Sequence, residues 1–164
     1  MNRRDIIIGI IVLAIIAGAI YFAQQETPSD SDSTPVPTSR IETDLEEQFQ
    51  RELPEGAERV ELENEDGRAV VTREVDEEGP DMLTVLADLP EATGGSYYEV
   101  WLRQGEEDDD EFVQTSAGRL TVAKGGFVLD YQTNADLSTY DSVVVSKETV
   151  ADSVPDEVVF EESF

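Results

Sequence analysis

Histidine and cysteine are both absent from this 164-residue chain, and lysine occurs only at Lys124 and Lys147. Without imidazole or thiolate, zinc and haem sites, cysteine proteases, Ser-His-Asp hydrolases and disulfide scaffolds lose their raw material. Positive charge is scarce too. Eleven Lys and Arg stand against 38 Asp and Glu, a formal net charge of −27. So negative a surface repels a phosphate backbone, which sets nucleic acid aside as a partner. A Ser-Lys dyad fails on geometry, because Ser146 and Lys147 are neighbours in an alternating stretch and point to opposite faces. Neither a cofactor nor a catalytic residue is expected.

What is present first is a long hydrophobic run. After MNRRD at residues 1–5, the eighteen residues IIIGIIVLAIIAGAIYFA extend from Ile6 to Ala23 without a charge. At 1.5 Å per residue they cover about 27 Å, close to the hydrocarbon thickness of a bilayer. Arg3 and Arg4 precede the run and the next basic residue is Arg40. The positive-inside rule therefore predicts a cytoplasmic N-terminus, with everything after Ala23 outside. A cleaved signal peptide is the competing reading, and Ala17-Gly18-Ala19 would serve as its cleavage site. Its apolar region is usually shorter, however, so an uncleaved anchor in the plasma membrane is expected, with lipid around residues 6–23.

Residues 24–39, QQETPSDSDSTPVPTS, carry three prolines and only Val36 as a hydrophobic residue. Such a stretch cannot bury enough apolar surface to offset chain entropy, which predicts a disordered linker. In residues 40–53, Ile41, Leu45, Phe49 and Leu53 recur every four positions, the pattern of a short amphipathic helix. Thr38 or Ser39 would cap it, and Pro54 with Gly56 would end it. Its stripe serves either to dock or dimerise, or to pack on its own domain.

From residue 54 to 164 the period changes to two. Ala69, Val71 and Val75 alternate with polar residues, as do Leu83, Val85, Ala87 and Leu89. Tyr98, Val100 and Leu102, then Phe127, Leu129 and Tyr131, then Val143 and Val145 repeat the pattern. Turn signals such as Glu65-Asp66-Gly67, Thr93-Gly94-Gly95 and Lys124-Gly125-Gly126 separate these runs. Seven or eight short strands without long helices between them predict an all-β fold, an antiparallel β-sandwich. Trp101, the only tryptophan, could line a cleft, but a large aromatic in such a strand is expected in the core. Tyr98, Val100 and Leu102 would face one way, while Tyr97, Glu99, Trp101 and Arg103 face the other. Both faces carry bulk, which points to a central strand or to a helix laid over its outer side.

The chain from Arg68 onward resembles the extracytoplasmic C-terminal domain of anti-sigma-K factors. The resemblance rests on RAVVTREVDEEGPDMLTVLADLP, then Tyr98-Glu99-Val100-Trp101-Leu102, then Ala117-Gly118, read as a turn before a strand. It continues in the late strand DSVVVSKE, which ends at Glu148, and in Pro155 ahead of Val158-Val159. Tyr98, Trp101, Leu102, Gly118 and Glu148 are the motif positions it implies. The family's glycine-rich turn after the late strand is replaced here by Thr149-Val150-Ala151-Asp152-Ser153, so that loop's conformation is not inherited. A full anti-sigma factor also places a helical sigma-binding domain before its membrane span, where this sequence has only residues 1–5. The resemblance thus implies the sensory half, and direct binding of a sigma factor is not expected.

The densest acidic cluster is Glu106, Glu107, Asp108, Asp109, Asp110 and Glu111. Hard cations such as Ca²⁺ take six to eight oxygen ligands, so the cluster is a weak metal candidate. Its acids are consecutive and lack the D-x-D-x-D-G spacing of a chelating turn, and a solvated loop between two strands is the simpler expectation. The function expected is non-catalytic sensing or protein interaction in the cell envelope, linked to regulation of sigma factor activity. The alternatives are a Ca²⁺-binding or carboxylate-dependent extracytoplasmic enzyme, and a structural envelope anchor.

Overall fold

Ser39 begins the part of the chain that the computed structural model describes, residues 39–107 and 109–164. The expected membrane span at 6–23, its cytoplasmic tip at 1–5 and nearly all of the 24–39 linker lie outside the described residues. No helix among the described residues is long and apolar enough to cross a membrane.

The Ser39 hydroxyl accepts a 3.1 Å hydrogen bond from the Glu42 amide, so Ser39 is the residue that caps helix α1 (Arg40–Phe49). The helix is four residues shorter than the 40–53 periodicity predicts. Gln50 takes a left-handed conformation (φ 49°), and Arg51 N–H returns to the Glu46 carbonyl at 3.0 Å, which closes the last turn. Leu53 nevertheless stays buried beyond the helix end, its amide held by the Glu46 carboxylate at 2.6 Å. The period of four thus continues as packing after it has ceased to be helix.

Nine strands follow among the described residues. They are β1 (Glu58–Asn64), β2 (Gly67–Glu74), β3 (Asp81–Asp88), β4 (Tyr97–Gln104), β5 (Val113–Arg119), β6 (Thr121–Ala123), β7 (Gly126–Thr133), β8 (Ser142–Glu148) and β9 (Glu157–Ser163). All pairings are antiparallel, in two sheets ordered β1-β2-β3-β7-β6 and β5-β4-β8-β9. The alternating residues of the sequence meet between the sheets. Ala69, Val71, Leu83, Val85 and Ala87 face Val100, Leu102, Val143 and Val145 in one buried core, to which Tyr98 and Phe127 add an edge-to-face pair with centroids 5.0 Å apart. The architecture is an antiparallel β-sandwich.

Val75 departs from the expected alternation. β2 ends at Glu74, leaving Val75 51% exposed. The last inward position of β2 belongs instead to Arg73, whose buried guanidinium donates to the Leu137 and Tyr140 carbonyls at 2.9 and 2.6 Å. It also pairs with Glu58 and stacks 3.8 Å from the Phe164 ring centroid. One end of the sandwich is therefore closed by a cation whose donors are satisfied by carbonyls and carboxylate.

The stripe on α1 packs on its own domain. Leu45, Phe49 and Leu53 form a second buried cluster with Val70 and Leu86 on the outer face of the five-stranded sheet. Gly126 lets the helix approach: a Cβ there would sit 2.6 Å from the Phe49 ring and from the Ala87 carbonyl. Arg59 with Glu42, Arg68 with Asp44 and Arg51 with Asp130 pin the helix at its margins.

Candidate functional site

Strand β4 runs between β5 and β8, so the bulk on both its faces does belong to a central strand. The helix, however, covers the other sheet. Trp101 is only 2% exposed yet belongs to neither apolar cluster. It lies on the outer face of the four-stranded sheet, opposite Val144, which is fully buried and also outside both clusters. Because successive strand residues alternate, Tyr97, Glu99, Trp101 and Arg103 of β4 share this face with Val144, Ser146 and Glu148 of β8.

Three of these groups form a buried polar chain. The Trp101 indole Nε1 donates to Ser146 Oγ at 2.7 Å, and the Ser146 hydroxyl donates to the Glu148 carboxylate. The Asp156 amide donates to both Glu148 oxygens at 3.2 and 3.3 Å. Ser146 and Glu148 are 0% and 1% exposed, so every polar atom here depends on a protein partner.

The segment after β8 folds back across this face. Asp156 accepts from the Thr149 amide and hydroxyl, both at 2.7 Å, and these bonds hold its carboxyl below the usual carboxylate range. Tyr97 Oη donates to the Val150 carbonyl at 3.0 Å, and Gln114 Nε2 to that of Ser153 at 3.2 Å. Tyr97 pairs with Glu148 near one end of the sheet, whereas Gln114 pairs with Arg103 beyond the Trp101 row. Residues 149–156 therefore pass over the tryptophan. They join the paired strands β8 and β9 as a hairpin loop that is folded back over the sheet as a strap.

The other motif positions take separate places. Tyr98 and Leu102 point into the inter-sheet core, where burial raises the Tyr98 phenol pKa and its hydroxyl donates to the Pro90 carbonyl at 3.1 Å. Ala117-Gly118 is not a turn before a strand but a bulge within β5, where the register shifts opposite Val100 and Trp101. Gly118 adopts φ +126°, a conformation L side chains rarely take, and the shift keeps Ser116 across from Trp101.

The acidic loop joins β4 to β5 as an exposed excursion. Glu107 is engaged by Arg103 at 3.2 Å, and the same guanidinium holds Glu161 at 2.8 Å. Glu106 and Asp109 carbonyls accept the turn bonds of Asp109 and Phe112. Asp110 and Glu111 are exposed, while Asp108 lies outside the described residues. No group of three or more Asp or Glu side chains with metal-binding geometry occurs among the described residues.

Sequence reasoning had the motif residues but not their meeting. The spacing set Trp101 on the face opposite Tyr98, Val100 and Leu102, whereas its place outside the inter-sheet core corrects the expectation of a core tryptophan. The strap was not legible, because residues 149–156 bury no apolar side chain and leave no periodic trace. β1 was likewise hidden, by its acids, whereas the strand expected after the acidic loop is β5.

Comparison with known proteins agrees with the family resemblance and extends it toward the N-terminus. No curated protein and no solved structure matches the chain. A family model described as "Anti-sigma-K factor rskA, C-terminal" matches residues 8–157, a span that takes in most of the apolar run, the linker, α1 and the sandwich up to the first residue of β9. With the Tyr98-to-Leu102 strand, the Gly118 bulge and the Ser146–Glu148 strand end all inside that match, the chain belongs to the anti-sigma-K factor C-terminal family.

Proposed function

We propose that this chain is a single-pass plasma-membrane protein, N-terminus inside, that presents its sandwich outside the cell as a non-catalytic sensing or protein-interaction module in the control of sigma factor activity. One observation carries the reading. The family match extends from residue 8 to residue 157, so most of the apolar segment falls within the same match as the sandwich, which supports reading the two together. The apolar length and the Arg3-Arg4 placement support the orientation, and an anti-sigma family is regulatory in character. Its partner would be a protein of the envelope or of the regulatory pathway.

Two measurements test it. The chain has no cysteine, so Ser153→Cys supplies a unique thiol. A membrane-impermeant maleimide should label that thiol in intact cells, and labelling only after lysis overturns the topology. Cross-linking in intact cells, followed by purification from solubilised membranes, should recover a regulator of a sigma factor. Repeated recovery without any envelope or anti-sigma protein counts against the role.

A further inference from the structure

Glu148 has an unusual position for an acid in a chain with so many exposed ones. Its side chain is 1% exposed, yet none of the ion pairs among the described residues includes it. Lys147 is adjacent in sequence but points to the opposite face of β8. A carboxylate taken out of water without a counter-cation is costly, and its bonds from Ser146 and Asp156 compensate only in part. Beside it lie the Trp101 indole and the Val144 side chain. A carboxylate, an indole ring and an aliphatic side chain are groups that together bind a long cationic side chain. The carboxylate takes the charge, the ring attracts it through its quadrupole, and the valine covers the methylenes.

The cover over these groups is weakly built. Every strap residue from Thr149 to Asp156 is exposed except Pro155, which is half-buried. The strap is held by hydrogen bonds, several at the surface: those of Asp156 to Thr149, Tyr97 to Val150 and Gln114 to Ser153. A segment whose own side chains stay in solvent and whose bonds lie at the surface opens before the strands beneath it, and the cost of opening is the exposure of Trp101 and Val144, which a bound aliphatic side chain would cover again.

We propose that the face under residues 149–156 is a covered binding site for a lysine or arginine side chain on a partner polypeptide, reached when the strap swings out. Glu148 supplies the counter-charge, Trp101 the platform, and the surrounding net negative charge draws basic segments toward it. This inference rests on the interaction role proposed above and names the chemistry of the partner.

Trp101 is the only tryptophan in the full chain, which makes it the probe. The full-length protein in neutral detergent micelles is titrated with end-blocked Gly-Lys-Gly, Gly-Arg-Gly and Gly-norleucine-Gly. The lysine and arginine peptides should change Trp101 emission saturably, and the norleucine peptide should not. Asp156→Asn loosens the strap and should strengthen binding, whereas Glu148→Gln should weaken it by about tenfold or more. Equal binding by wild type and Glu148→Gln, or no cation-dependent change even in Asp156→Asn, overturns the site. Hydrogen exchange on the wild type measures strap opening without depending on the folding of any variant. Strap amides should exchange at least about tenfold faster than those of Val143 to Val145, and equal protection overturns the opening. Loss of the peptide effect with recovery of a sigma-factor regulator intact would remove this site alone, and the reverse result would remove the regulatory role alone.

Discussion

The Trp101 indole nitrogen and the Ser146 hydroxyl meet at 2.7 Å, diagonally across the β4–β8 pair and on the face turned away from the inter-sheet core. Two positions of the family pattern far apart in sequence are thereby joined in one hydrogen bond, and Ser146 passes the connection on to Glu148. The face under the strap is thus specified by polar pairing as much as by apolar contact.

Removing the hydroxyl tests that statement. Ser146→Ala leaves the buried indole N–H without its partner and should cost about 1–3 kcal/mol, the usual penalty for an unsatisfied buried donor. Urea unfolding followed by Trp101 emission measures it. An unchanged midpoint would show that the bond carries no net stability.

The helix should matter more than its ten residues suggest. Phe49→Ala empties the contact with Val70, Leu86 and Gly126 and should destabilise the domain by about 3–5 kcal/mol. Ser39→Ala, which removes only the cap, should cost about 1 kcal/mol. If both variants unfold at the wild-type denaturant concentration, α1 is not part of the cooperative unit.

Acid should weaken the attachment of α1 through Asp130. Its hydrogen bond from Arg51 holds the Asp130 carboxyl below the usual range, and the same bond raises the already high Arg51 value. A depressed native pKa stabilises the fold above the unfolded value of about 3.9, and that contribution fades as pH falls through the native value. The pair is half-exposed, so its worth is within about 1 kcal/mol. Arg51→Gln should therefore lose stability at pH 7, and its difference from wild type should shrink as pH falls below about 3.9. A constant difference across that range would exclude the pair as the cause.

Salt should act in the opposite sense on the molecule as a whole. With a formal charge of −27, self-repulsion opposes the compact state, and added ions screen it. The melting temperature should rise between about 0.1 and 2 M KCl, where the Debye length falls to a few ångströms. A flat or falling curve would show that the acidic surface carries no such penalty.

The bulge at Gly118 gives a backbone test. Alanine there must adopt φ near +126°, at a cost of about 1–3 kcal/mol, although the nearest side-chain atom, Leu129 Cδ1, is 3.6 Å from the new Cβ. Full stability of Gly118→Ala would mean that β5 repairs its register without the bulge.

Period-two alternation at Leu83-Val85-Ala87, Val100-Leu102 and Val143-Val145 was enough to specify the sandwich, because a half-buried strand must sort its residues by face. The period of four from Ile41 to Leu53 specified a packing stripe, and Ser39 a helix start, for equally local reasons. The helix end was less legible. Gln50 leaves the helix through a left-handed turn that no glycine announces. Arg73 replaced the expected Val75 at the inner edge because carbonyls from the 137–140 segment converge there to satisfy it.

By itself, then, the sequence determined the charge, the lack of His and Cys chemistry, the strand faces and the family pattern, all of which depend on residue type and short-range spacing. Only the tertiary structure decided which sheet the helix covers, that Trp101 sits outside the inter-sheet core, and that the 149–156 strap closes over Glu148. Those outcomes depend on contacts between segments tens of residues apart, such as the hydrogen bonds that Tyr97 and Gln114 donate to loop carbonyls, which leave no periodic signal in the chain.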